Sequence, residues 1–134
     1  MNSSNRKYDL EDRLIEFGSL IIEITESLTN SRAGNHLAGQ VVRSGTSPAL
    51  HYGEAQSAES RNDFIHKLKV LLKELRETNA AMKLIKRVNL SSKPELCVKA
   101  SLECNELISI FVKSIETARK NNIKNKNDID KNAE

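Results

Sequence analysis

One segment of the chain concentrates positive charge with helical spacing. Between residues 61 and 87 there are eight Lys and Arg residues against three Asp and Glu residues. This surplus is larger than the net charge of +3 of the whole chain. On an α-helix, the steps of four, three and seven residues in this segment put basic side chains on one face. Such clusters bind nucleic-acid phosphates, because the cations neutralise the phosphates and thereby release the counterions bound to them. We predict a nucleic-acid contact surface made of Arg61, Lys69, Lys73, Arg76 and Lys83.

A solvated outer face is a second interpretation of the same charges. Glu74 and Glu77 lie close to basic side chains of the same helix, which are Lys67, Lys73 and Arg76. Pairs of this kind along one helix would weaken the positive field. The chain has two tyrosines and no tryptophan for base stacking. If the surface binds nucleic acid, we therefore expect the backbone of structured or duplex RNA, or of DNA, rather than a specific single-stranded sequence.

Metal and catalytic chemistry have little support in the sequence. Di-iron sites of four-helix bundles use two Glu-x-x-His pairs, whereas the nearest pattern here is one Asp63-x-x-His66. Cys97 and Cys104 are two helical turns apart, about 10 Å, which is too far for a disulfide. We expect both to be reduced core thiols. The run Ser44-Gly45-Thr46-Ser47 is not a Gly-x-Ser-x-Gly nucleophile elbow. We predict no catalytic residue, no metal, no cofactor and no enzymatic activity.

Four amphipathic segments predict the helices that position the basic residues. Their expected bounds are Leu10 to about Leu28 with Asp9 as the N-cap, Ala33 to about Ala58, Ser60 to Val88, and Pro94 to about Lys120. Each segment carries an apolar stripe, and the connections between them are short and polar. This pattern favours an all-α fold, an antiparallel up-down-up-down four-helix bundle.

The second helix contains the strongest breaker in the sequence, Ser44-Gly45-Thr46-Ser47-Pro48. Proline removes a backbone donor and crowds the preceding turn, so we predict a kinked second helix. Small residues let another backbone approach closely, and helices one and three carry more apolar positions than one bundle seam requires. We therefore predict a homo-oligomer with Ser44, Gly45, Pro48 and Tyr52 at the contact between copies.

The expected domain is the bundle over residues 1–120, followed by a polar tail over residues 121–134. The tail, NNIKNKNDIDKNAE, has few apolar groups, so we expect it to be disordered. No apolar run approaches the roughly 20 residues that span a bilayer, and the N-terminus lacks a signal-peptide pattern. We expect a cytoplasmic protein without membrane contact.

The amino-acid sequences of several segments resemble those of a known family. These segments are Tyr8-Asp9-Leu10, RAGNHLAGQ over residues 32–40, SGTSPALHYGEAQSAESRNDFIHKLKVLLKELRET over residues 44–78, and ELISIFVKSI over residues 106–115. Over roughly residues 8–120, the chain closely resembles the bacterial four-helix bundle proteins called 23S ribosomal RNA intervening-sequence proteins. The tail after Lys120 lies outside the resemblance.

This resemblance implies an antiparallel bundle that assembles into a ring-shaped homopentamer, with no established catalytic activity or cofactor. It also implies a gene that lies, in some bacteria, within an insertion in the large ribosomal RNA gene. A related branch, the accessory proteins of diversity-generating retroelements, suggests an alternative function. In that alternative the chain is a protein-interaction scaffold or accessory subunit, such as for a reverse transcriptase. The resemblance carries no binding motif, so the contact residues named above rest on charge and helical phase.

Overall fold

The computed structural model describes residues 9–133, and the side chains of these residues except 125, 126 and 128–133. It contains four helices, α1 (Leu10–Glu26), α2 (Arg32–Gln56), α3 (Arg61–Arg87) and α4 (Pro94–Ala133). Within residues 9–133 there is no β-strand, and residues 28 and 91 form one isolated bridge. The prediction of an all-α chain with four helices is confirmed.

Side-chain caps and a proline fix where the helices begin. Asp9, Ser31 and Ser60 each accept a hydrogen bond from the backbone N–H three residues later, at 2.9 to 3.1 Å. These bonds satisfy donors that the first turn of a helix leaves free. Pro94 begins α4, where a missing N–H costs no intrahelical bond. The sequence predicted these helix starts to within one residue.

The helices pack as a four-helix bundle. Each helix packs against its neighbour in chain order, and α4 packs back against α1 less closely than the other neighbouring pairs. All four helices contribute buried side chains to one core. Its largest members are Leu14, Phe17, Ile21, Ile24, Val41, Leu68, Leu71, Leu75, Met82, Ile85, Leu107 and Phe111. None of the helices in the described range is long and apolar enough to cross a bilayer.

The segment around Pro48 stays helical within α2. Pro48 cannot donate to the carbonyl of the preceding turn. The hydroxyls of Thr46 and Ser47 donate to backbone carbonyls four residues earlier, at 2.5 and 2.6 Å. The kink at this position stays a prediction.

Three of the four residues predicted at the contact between copies lie inside the subunit. Ser44 is 2% exposed, and Gly45 and Pro48 are also buried. Gly45 faces Ile21 of α1, where an added Cβ would lie 2.5 Å from the Ile21 side chain. Gly45 therefore lets α1 and α2 approach closely within one chain, and Ser44 accepts a hydrogen bond from Thr78 of the same subunit. A contact between copies at these three residues stays a prediction.

Tyr52, the fourth of these residues, is half-buried. Its ring meets that of Phe111 edge to face, with centroids 5.8 Å apart, a favourable aromatic geometry. Burial raises the pKa of the Tyr52 phenol, with smaller contributions from Glu11 and Asp9. Tyr52 therefore joins α2 to α4 within the subunit, and its place at a contact between copies stays a prediction.

Helix α4 continues to Ala133 instead of ending near Lys120. The expected disordered tail is therefore helical over residues 121–133. Neither proline nor glycine follows Pro94 in the sequence, so no breaker ends the helix. The amide of Asn122 donates to Asn62 beside the start of α3 at 2.9 Å. The division into a bundle domain over 1–120 and a separate tail over 121–134 stays a prediction.

Candidate nucleic-acid interface

The predicted basic residues all lie on α3, which buries its opposite side in the core. The predicted apolar stripe is confirmed, since Leu68, Leu71, Leu75, Thr78, Met82 and Ile85 are buried. Phe64, the first residue of the predicted stripe, is half-buried. Because this stripe fixes the rotation of α3, the side chains on the far side of the helix must face solvent.

Four of the five predicted cations share that outer side. Lys69, Lys73 and Arg76 line one shallow depression together with Leu72 and Glu77. Lys83 lies two helical turns beyond Arg76, which returns it to the same side of the helix. All four cations are exposed. The α3 basic face is defined here as Lys69, Lys73, Arg76 and Lys83.

Arg61 lies apart from the α3 basic face. It lines a groove between α3 and α4 together with Phe64 and Lys113. Polar groups of α4, including Ser114 and Asn121, complete this groove. The sequence grouped Arg61 with the other cations because it precedes them on the same helix. Lys113 was missed, because only the packing of α4 on α3 brings it near Arg61.

The acidic residues beside the α3 basic face are held by α2. Arg43 lies 3.2 Å from a carboxylate oxygen of Glu74 and 3.1 Å from one of Glu77. The sequence left open whether these glutamates pair with lysines of their own helix. In the structure their ion pairs are with Arg43, which sequence reasoning did not single out.

A third ion pair between α2 and α3 involves Lys67, another basic residue of α3. Lys67 donates to Glu54 of α2 at 3.1 Å. This hydrogen bond, supported by the charge of Lys67, lowers the pKa of the Glu54 carboxyl. Lys67 therefore belongs to the seam between α2 and α3, and not to the solvent-facing cations.

The cations of the α3 basic face are exposed and lie outside the ion pairs between α2 and α3. Among the side chains that the structure describes, none of its four cations takes part in an ion pair within 4.0 Å. All four side chains are exposed to solvent instead. A row of exposed donors on one rigid helix can contact successive phosphates without disturbing the core.

The two cysteines are buried in the core and free of disulfide bonds, as predicted. The Cys104 thiol donates to the Leu75 carbonyl at 3.1 Å, and burial raises its pKa to about 12. Burial also raises the pKa of Cys97. Thiols of this kind are poor nucleophiles, because the reactive form is the thiolate.

The histidines do not assemble with other metal-binding side chains in the described part of the chain. No group of three or more His, Cys, Asp or Glu side chains there could hold a metal ion. His36 and His66 are exposed. His51 is half-buried, with Nδ1 3.8 Å from Glu54.

A second surface feature lies on the other side of the bundle, between α1 and α4. It is a groove of about 590 Å³ and is called here the α1–α4 groove. Apolar side chains along it are Phe17, Leu20, Val98 and Leu102, and its acidic side chains are Glu16, Glu23, Glu95, Glu103 and Glu106. Arg13 bridges Glu103 and Glu106 across one end, and its hydrogen bond to Glu103 is the main cause that raises the pKa of Arg13. The sequence pointed to neither Arg13 nor this groove.

Comparisons with known proteins assign the chain to a family. The family described as 23S rRNA-intervening sequence protein matches residues 6–113. A solved structure, of a protein of unknown function from the S23 ribosomal protein family of Bacteroides thetaiotaomicron VPI-5482, is 30% identical with a TM-score of 0.70. That match covers 78% of this chain and 96% of the other. No curated protein matches the chain. On this match and the four-helix fold, the chain belongs to the 23S rRNA-intervening sequence protein family.

Proposed function

We propose that this protein is a non-enzymatic, homo-oligomeric helical bundle that binds the backbone of structured RNA or of DNA through the α3 basic face. The observation that carries the proposal is the division of charge around α3. Arg43 pairs with Glu74 and Glu77, and among the described side chains the four cations of the α3 basic face take part in no ion pair. Neutralising phosphates with such a row releases counterions and favours binding at low salt.

The proposed contacts extend to Arg61 as a separate element. Arg61 and Lys113 line one groove at the start of α3. There they could bind a further phosphate of a nucleic-acid backbone that extends beyond the α3 basic face. This groove is distinct from the depression lined by Lys69, Lys73 and Arg76. Substituting Arg61 should therefore weaken binding less than substituting the cations of the α3 basic face.

We also propose that the subunit is an antiparallel bundle with a kinked second helix, and that several copies of it associate. We expect the protein to act in the cytoplasm. Large apolar side chains are exposed on the described surface, which favours contact with another protein surface. They include Ile15, Ile22, Val42, Leu50, Leu84, Val88, Val98 and Leu102. A ring of five copies is the arrangement that the family resemblance implies.

A double charge reversal tests the nucleic-acid contact. Lys69→Glu combined with Lys73→Glu should reduce affinity for a hairpin RNA or duplex DNA at least tenfold at low salt. The matched control is Arg32→Glu combined with Lys93→Glu, which changes the net charge equally at two exposed positions outside the α3 basic face. The control should bind within about threefold of the wild type. Equal losses in both variants would contradict a localised site, and no binding by the wild type would contradict the function.

The scaffold function remains the alternative, favoured by the apolar positions Ile15 and Ile22 of α1 and Val42 of α2. In that function the exposed surface receives a partner protein, such as a reverse transcriptase. A pull-down with and without nuclease separates the two functions. A partner retained after complete digestion supports the scaffold, whereas a partner lost on digestion supports nucleic-acid binding.

A further inference from the structure

Two features of the molecule have no partner within the described part of the subunit. One is the α1–α4 groove, where the bundle is least closely packed. The other is the far end of α4. This helix has 40 residues and is therefore about 60 Å long, whereas α3, the next longest, has 27. Part of α4 must therefore extend beyond the bundle.

The α1–α4 groove exposes apolar side chains between acidic ones. Leu102 is 65% exposed and Val98 46%, although both line the groove. Such a surface gains free energy when an apolar side chain covers it. The groove can thus accept an apolar side chain between its two helices.

Some of the acidic charge around this groove is uncompensated. Glu103 and Glu106 share Arg13, and Glu23 lies 3.6 Å from Lys93. Glu16 and Glu95 are exposed and have no ion pair within 4.0 Å among the described side chains. One basic residue, Lys99, lines the groove against five glutamates. An occupant of the groove should therefore be basic as well as apolar.

The end of α4 has that chemistry. Ile123 is 61% exposed, and the exposed cations Arg119, Lys120 and Lys124 lie within about one helical turn of it. An isolated apolar side chain surrounded by cations complements an apolar groove flanked by carboxylates. Such complementarity gives specificity and increases the rate of association.

We propose that the end of α4 in one copy lies in the α1–α4 groove of a second copy, with Ile123 against Leu102 and its cations facing Glu16 and Glu95. The contact cannot form within one chain, because Leu102 of the groove and Ile123 belong to the same continuous helix and lie about 30 Å apart along it. An intrachain contact would require α4 to break and fold back, and its sequence contains no breaker after Pro94.

This contact does not follow from membership of the family, because the family match ends at residue 113 and Ile123 lies beyond it. The inference rests on the proposed self-association and is independent of the proposed nucleic-acid binding. It explains why α4 remains helical after leaving its own bundle, since packing against a second copy stabilises an otherwise exposed helix.

Paired variants of the full chain, each with one added cysteine, test the contact directly. Leu102→Cys and Ile123→Cys are co-expressed, purified together and exposed to a mild oxidant at micromolar concentration. The native Cys97 and Cys104 are buried and should stay unreacted. We expect a disulfide-linked pair to form at least ten times faster than with the control pair Leu50→Cys and Ile123→Cys. Leu50 is 69% exposed on α2, away from the groove.

Charge reversal provides the second measurement. Lys120→Glu with Lys124→Glu, added to the Ile123→Cys chain, should slow cross-linking to Leu102→Cys severalfold while helicity measured by circular dichroism is unchanged.

Two outcomes would overturn the proposal. One is cross-linking of Leu102→Cys to Ile123→Cys that is no faster than in the Leu50 control. The other is faster cross-linking of Leu102→Cys to Lys73→Cys than to Ile123→Cys, which would assign the occupant of the groove to α3. Light scattering on the wild type distinguishes failure of this contact from failure of the proposed self-association. An assembled wild type without the cross-link rejects this contact alone, and a monomeric wild type rejects the proposed self-association too.

Discussion

Arg43 of α2 lies 3.2 Å from Glu74 of α3, and this pair directs the negative charge of α3 toward the seam between the helices. Glu74 keeps 12% of its side chain exposed, whereas Arg43 keeps 53%. The same guanidinium also reaches Glu77 at 3.1 Å. Among the described side chains, the cations of the α3 basic face take part in no ion pair, although Glu77 lines the same depression as three of them.

The pair between Arg43 and Glu74 should contribute modestly to stability. In a double-mutant cycle of Arg43→Ala and Glu74→Ala, we expect a coupling free energy of about 0.5–1 kcal/mol, because one partner is largely exposed to solvent. Chemical denaturation of the four proteins measures it. A coupling free energy of zero would contradict a stabilising interaction between the two side chains.

Gly45 should tolerate no side chain, in contrast to another glycine of the same helix. A Cβ at Gly45 would lie 2.5 Å from the Ile21 side chain, so Gly45→Ala should lower the free energy of unfolding by about 1–3 kcal/mol through overpacking. Gly39 has no atom within 4 Å of an added Cβ. Gly39→Ala should raise the free energy of unfolding by up to about 1 kcal/mol through helix propensity. Urea titrations compare the two, and equal effects would contradict the close approach of α1 and α2.

The buried hydroxyls of Thr78 and Ser44, 2.8 Å apart, should behave as a coupled pair. Thr78→Val leaves the Ser44 hydroxyl without this partner and should cost about 1–3 kcal/mol of unfolding free energy. The double variant with Ser44→Ala should cost less than the sum of the two single changes. Thermal unfolding of the three variants gives the values. Strict additivity would mean that the two hydroxyls do not interact.

Cys104 should make stability fall at alkaline pH. Burial raises its pKa from the ordinary 9.0 to about 12 in the folded protein. Between these values the unfolded thiol loses its proton while the folded thiol keeps it, so unfolding becomes more favourable as pH rises. The wild type should therefore lose stability relative to Cys104→Ala from about pH 9. Denaturation at pH 8, 9 and 10 tests this, and parallel pH profiles of the two proteins would contradict it.

The sequence predicted the helices well because their signals are local. Asp9, Ser31 and Ser60 sit at helix starts, and the apolar residues of α3 recur with helical spacing. Whether a close helix contact forms within one chain or between two copies is not a local property. The sequence therefore pointed to a contact between copies at Gly45 and did not reveal its packing against Ile21 of its own chain.

The electrostatics of the candidate site depended on partners far away in sequence. Pairing along one helix can be read from spacings of three and four residues, which pointed to the lysines of α3 as partners of Glu74. Arg43 is 31 residues from Glu74, and only the packing of α2 on α3 brings the two together. Lys113 beside Arg61 and Arg13 beside Glu103 are further cases, because each depends on α4 packing against another helix.

The ionic-strength dependence of hairpin RNA binding tests the central claim most directly. Affinities are measured for the wild type and for Lys69→Glu with Lys73→Glu over a series of salt concentrations. We predict a linear fall of log affinity with log salt for the wild type, and a slope shallower by about two for the variant, one for each lost phosphate contact. A wild-type affinity that does not change with salt, or identical slopes for the two proteins, would contradict binding by the α3 basic face.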